Sequence, residues 1–196
     1  MHERLTELLS RATDPSEANG QQRAVLELVL LLELKNYPAA RDDPMYQHEL
    51  SEELRGMPLT DTDQCELAEV LAEAVLGASD ERVRVGLLSA LQRLPSRHGL
   101  AVALSLLRGR GSSTWSDEEV WQTLVAIERM LDILFEPPTH PQWADVPELA
   151  RQMRDDDPRP MLDRLIAARG DRVADVAAHV RAELDELIAR KWEDRV

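Results

Sequence analysis

The chain has 196 residues, of which 43% are hydrophobic and 31% charged, and its formal net charge is −14. That apolar share excludes a disordered chain, and the acidity disfavours nucleic acid and anionic membrane as partners. A single cysteine, Cys65, excludes an internal disulfide and a cysteine-based zinc site. Aromatic content is only 4% while Leu and Ala abound, so the core is aliphatic. Strand-like alternation is missing, and the expected class is all-α with about 9–10 helices. The N-terminal Met1-His2-Glu3-Arg4-Leu5 lacks the layout of a secretion signal. The longest apolar stretch, 24–34, is interrupted by Glu27 and Glu33 and is too short to span a bilayer. A cytoplasmic protein without a membrane partner is expected.

The first predicted helix runs over 2–11 with Leu5, Leu8 and Leu9 on one face, and 14–16 breaks it. The second, 17–36, is apolar nearly all round from Ala24 to Leu34, as a central buried helix should be. Pro38 ends it. A third spans 44–55 and closes at Gly56-Met57-Pro58. Thr60 or Asp61 caps the fourth, which carries Leu67, Leu71, Ala74 and Val75 on one side, with Gly77 where a C-cap is expected. Ser79 or Asp80 starts the fifth, with Val83, Leu87, Leu91 and Leu94 in register, and Pro95 stops it. The sixth, 97–108, ends in Gly109-Arg110-Gly111. Ser116 and Glu119 form a capping box for the seventh, whose seam is Val120, Leu124, Ile127, Leu131 and Leu134.

Pro137, Pro138, Pro141 and Pro147 then surround Trp143 in an extended connection. Two short helices follow at 147–154 and 160–169, and a longer one at 171–192. This divides the chain into a helical core at 1–136, a proline-rich connection at 137–147 and C-terminal helices at 148–196.

Two segments look alike. Ser79-Asp80-Glu81-Arg82-Val83 opens one helix, and Ser116-Asp117-Glu118-Glu119-Val120 opens another 37 residues later. A helical pair recurring at that spacing is the mark of a stacked solenoid. The run Asp80-Glu81-Arg82-Val83-Arg84, followed by Leu87, Leu88, Ala90 and Leu91, resembles the second helix of a HEAT repeat. The resemblance covers 61–135, at most two units, and Trp121 stands where the second unit would carry its Arg. It implies that Asp80 and Arg84 link neighbouring repeats and that the array offers a curved binding surface. An irregular helical bundle is the competing architecture.

No catalytic constellation stands out, and neither an enzyme nor a cofactor is expected. His48 and Glu52 are one helical turn apart with Glu49 and Glu53 beside them, a spacing that suits the carboxylate–His site of a metal-dependent enzyme. No second His lies on the same helix and the pattern suits a solvated helix face better, so no metal site is expected. Asp171, Asp175, His179 and Glu183 recur at four-residue intervals opposite the apolar seam of their helix, so this stripe should face water. Cys65 reads as a packed thiol. The loop 108–114 precedes a helix that begins with three acids, which would repel a phosphate.

Charge distribution says more. Residues 116–160 hold 11 acidic and 4 basic side chains. Between Glu81 and Asp117 there is no acid, yet that interval holds Arg82, Arg84, Arg93, Arg97, Arg108 and Arg110. This arginine island either pairs internally or meets a partner, and Arg suits bidentate contact with carboxylate or phosphate. Trp115 and Trp121 lie beside it, and Trp is favoured in interface hot spots. The expected function is a non-enzymatic protein–protein interaction module, an adaptor, inhibitor or immunity-type protein. It would bind a basic protein through acidic helices and the island. The alternative is a helical-repeat protein that grips nucleic acid through Arg82–Arg110.

Overall fold

The computed structural model describes residues 3–14, 18–36, 42–94, 97–111, 114–135 and 146–189. Side chains at 18–19, 36, 61, 65, 97–98, 110–111, 133–135, 146–147 and 149 are not among those described. The readings placed on Cys65, Arg97, Arg110, Leu134, the loop serines at 112–113, and Trp143 with its proline-rich connection therefore lie outside the described residues. Among the described residues the chain is all-α: eleven α-helices, no strand, and no helix long and apolar enough to cross a membrane.

The chain divides into two compact units, 1–94 and 95–196. The first holds α1 (Glu3–Thr13), α2 (Ala18–Asn36), α3 (Pro44–Glu49), α4 (Glu52–Gly56), α5 (Asp61–Gly77) and α6 (Glu81–Leu91). Helix α2 packs on both α1 and α6, and α6 also packs on α5. The near-continuous apolar run of α2 is thereby used on most sides. Ala24, Leu28, Leu31 and Leu32 are essentially inaccessible, and Leu26 is left half-exposed. At the α2–α6 crossing the small residue is Gly86: a Cβ built there would lie 2.4 Å from Val25 Cγ1.

The predicted third helix is two. Leu50 leaves helical backbone, and the Ser51 hydroxyl accepts from Leu54 N at 3.3 Å to start α4. Arg55 secures the corner, its Nη1 donating to the carbonyls of Gln47 (2.9 Å) and Leu50 (3.1 Å). Such donations satisfy carbonyls that a helix end leaves orphaned. Thr60 and Asp63 form a reciprocal capping box at α5, which holds the Asp63 carboxyl below its ordinary range. Gly77 is the last helical residue of α5, and Ala78, with extended backbone, is the cap. The helix turns off through ordinary φ rather than through the left-handed cap its glycine suggested.

The second unit holds α7 (Arg97–Leu106) with a π-helical turn at Leu107–Gly111, then α8 (Asp117–Phe135), α9 (Val146–Asp155), α10 (Arg159–Ala168) and α11 (Asp171–Ala189). Helix α8 packs on α7 and α11, and α11 packs on α8, α9 and α10. The capping box at α8 forms as predicted: Ser116 N donates to Glu119 Oε2 at 2.7 Å, and Glu119 N to Ser116 Oγ at 3.3 Å. The seam residues Val120, Leu124, Ile127 and Leu131 are all buried. Val173, Ala177, Val180, Leu184 and Leu187 form the buried face of α11.

Candidate functional site

The arginine island is built from side chains with different environments. Arg82 is exposed at the start of α6 and forms no ion pair among the described residues. Arg84 lies behind it, half-buried, with Nη1 donating to Ala78 O (2.8 Å) and Ser79 O (2.9 Å). Asp80 caps α6 by accepting from Arg82 N and Val83 N. Asp80 and Arg84, the two residues that the HEAT resemblance implies link neighbouring repeats, make these bonds inside the α5–α6 turn. Arg93 reaches Glu33 on α2 at 3.3 Å and the Ser89 carbonyl at 2.6 Å. In the second unit, Arg108 leaves the π-helical turn to meet the Asp156 carboxylate, and its other terminal nitrogen donates to the Asp156 carbonyl at 2.6 Å. Internal pairing therefore engages Arg84, Arg93 and Arg108.

Trp115 is buried, 6% exposed, and its carbonyl accepts from Arg169 Nη1 at 3.0 Å. Trp121 is half-buried one turn into α8. The Arg172 guanidinium lies 3.6 Å from the Trp121 ring centroid and also pairs with Glu118 at 2.7 Å. A cation stacked on an indole face and held by a carboxylate is a preorganised surface element.

The first unit carries an open cleft of about 540 Å³ between α1, α2 and the α3–α4 corner. Its walls are salt-bridged: Arg4 to Glu7 (2.6 Å) and Glu53 (3.1 Å), and Arg23 (3.1 Å) and Arg11 (3.5 Å) to Glu27. His48 stands at this cleft, 84% exposed, beside Glu49. Because the helix breaks at Leu50, His48 and Glu52 belong to α3 and α4 and lose the one-turn spacing that suggested a metal. Among the described residues no group of three or more His, Cys, Asp or Glu is arranged to hold a metal ion.

Elsewhere the acidic surface is organised by helix. Helix α5 carries five acids and no base, and Glu66, Glu69 and Glu73 are exposed along one side of it. Leu76, 43% exposed, extends that side by one more turn.

The stripe on α11 departs from expectation. Asp171 and Asp175 face water, but Glu183 is only 16% exposed because α8 covers it. His179 Nε2 lies 3.3 Å from Glu183 and 3.5 Å from Glu128 on α8. Burial first, then the neighbouring Asp132 carboxylate, pushes the Glu183 carboxyl up to about 8. The signal was a stripe of acids on a long helix that several neighbours share.

Arg159 is the hub of the opposite edge. It grips Asp157 through Nε (2.8 and 3.0 Å) and Nη2 (2.8 Å), and reaches Asp185 at 2.8 Å. Those bonds hold both carboxyls below their ordinary range. A depressed carboxyl contributes stability above its unfolded value near 3.8 and loses it as pH falls through the folded value. Arg159→Ala should cost about 1 kcal/mol at pH 7, allowing for partial exposure of the pairs. Urea midpoints of wild type and variant should differ at pH 7 and converge at pH 2.5. Equal separation at both would contradict the assignment.

No family model, no curated protein and no solved structure matches the chain.

Proposed function

We propose that the chain is a non-enzymatic interaction protein, of adaptor, inhibitor or immunity type, that holds a basic partner protein in the cytoplasm. The observation that carries this reading is the acidic side of α5. Glu66, Glu69 and Glu73 are exposed on a helix with no basic residue, and the row ends in the half-exposed Leu76. A charged row steers an oppositely charged partner, and an apolar terminus adds area to bury. Within this reading α5–α6 is the first unit of the HEAT-like pair at 61–135, supported by the cap at Asp80 and the Val83–Leu91 core face. Arg82, exposed at the start of α6, adds a cation to the same helical pair. A nucleic-acid partner draws less support, since Arg84, Arg93 and Arg108 already bond to carbonyls and carboxylates of this chain.

The test is retention from a native lysate at rising salt, comparing wild type with E66R/E69R/E73R. The expected result is a specific protein held by wild type, with affinity at least ~10-fold weaker for the triple variant, equivalent to ~1.4 kcal/mol. A partner bound equally by both variants would remove α5 from the interface. Duplex nucleic acid bound with a steep salt slope would favour the alternative.

A further inference from the structure

Trp121 stands where the second of the two similar segments would carry the counterpart of Arg84. In the first unit, Arg84 holds the carbonyl just ahead of the α6 cap, Ser79 O, at 2.9 Å. In the second unit, the carbonyl just ahead of the α8 cap, Trp115 O, is held at 3.0 Å by Arg169 at the end of α10. That task is thus served from outside α8, and position 121 is released to carry an indole. The Arg172 guanidinium covers the ring, 3.6 Å from its centroid, and its Nη1 donates to Glu118 Oε2 at 2.7 Å. Gln122 Nε2 donates to the other oxygen of Glu118 at 3.3 Å and so orients the carboxylate. Gln122 Oε1 is buried with no donor among the described residues. Arg172 itself is 59% exposed and makes no other ion pair among the described residues.

We infer that the Trp121 face and the Glu118 carboxylate form a docking site for an arginine side chain of the basic partner, which Arg172 occupies when that partner is absent. The inference rests on the reading of a basic partner, but its site belongs to the second unit, whereas α5 belongs to the first. The chemistry selects arginine. A planar guanidinium stacks on an indole and aims its donors at a carboxylate, whereas a lysine ammonium is a compact, strongly hydrated charge. The surroundings favour a cation as well. With Arg172 displaced, the exposed Asp117, Asp171 and Asp175 join Glu118 against one neighbouring base, Arg169. An exposed stacking contact and a surface ion pair are weak enough for a competing arginine to displace. The tethered side chain lowers the apparent affinity by the fraction of time that the site is vacant.

The experiment is calorimetric titration of the full chain with a hexaarginine peptide at low salt. R172A should bind it ~3–30-fold more tightly than wild type, the range that one exposed cation–π contact and one surface ion pair represent together. Hexalysine carries the same charge and reads the change in net charge alone, so its gain should be smaller. R172A/W121A and R172A/E118Q should lose the gain for hexaarginine. An equal gain for both peptides, or a gain that persists without the Trp121 ring, overturns the site. Repeating the titrations in the E66R/E69R/E73R background keeps α5 out of the readout, so failure of the α5 surface and failure of this site are told apart. Should R172A fold poorly, the Arg172 Nε–Hε resonance of wild type decides. The ring current of Trp121 displaces that signal, and added hexaarginine should return it to its free position. A signal unmoved at saturating peptide overturns the inference.

Discussion

Trp115→Ala should lower the unfolding free energy by about 3–5 kcal/mol, the largest loss expected from any change at the candidate interface residues. The indole is buried, 6% exposed, directly ahead of the α8 capping box. Its removal leaves a cavity of aromatic size, and aromatic side chains bury 150–250 Å² each as a rough guide. The backbone carbonyl of the same residue anchors Arg169, which also pairs with Asp117 at 2.9 Å, so the start of α8 loosens along with the lost packing. Trp121→Ala provides the contrast. That ring is half-buried under Arg172, and an exposed cation–π contact is worth ~0.5–1 kcal/mol. A urea series on both variants gives the comparison. Equal costs would mean that Trp115 works at a surface.

Gly86→Ala should destabilise the first unit by about 1–3 kcal/mol, although alanine is the better helix former by ~1 kcal/mol. The added methyl would sit 2.4 Å from Val25 Cγ1 at the α2–α6 crossing. Valine has little rotamer freedom on a helix, so it cannot swing aside, and relief requires the two helices to part. Val25→Ala alone leaves a modest void and costs less than a full leucine truncation. The double variant G86A/V25A should be more stable than additivity predicts, because the alanine methyl at 86 occupies the space the valine left. Thermal melts of the four proteins close the cycle. Additive losses would place the methyl in open space.

Most of the fold was legible because its signals are local. Ser116 with Glu119, Thr60 ahead of Asp63, and the apolar spacing of Val83, Leu87 and Leu91 each declare a helix within a few residues. The break at Leu50–Ser51 was also written there, as a serine followed by two acids, but the flanking periodicity of 44–55 masked it. The partners of charged side chains were not legible. Arg93 and Glu33 are 60 residues apart, and Arg108 and Asp156 are 48 apart. Nothing in spacing says which distant acid an arginine will meet, or that Arg84 will turn to two carbonyls. Glu183 escaped for a related reason. A helix packed on three neighbours has more than one covered side, and a single apolar stripe reports only the most hydrophobic of them.

The reciprocal caps at Thr60–Asp63 and Ser116–Glu119 have a kinetic consequence. Their bonds close loops of three residues, so they cost little chain entropy and can form before any distant contact. Helix nucleation is the unfavourable step, and a box that fixes the first turn lowers it. Helices α5 and α8, one in each compact unit, are therefore the elements on which ordering can begin. The long-range pairs of α2 with α6, and of α8 with α11, are gathered afterwards.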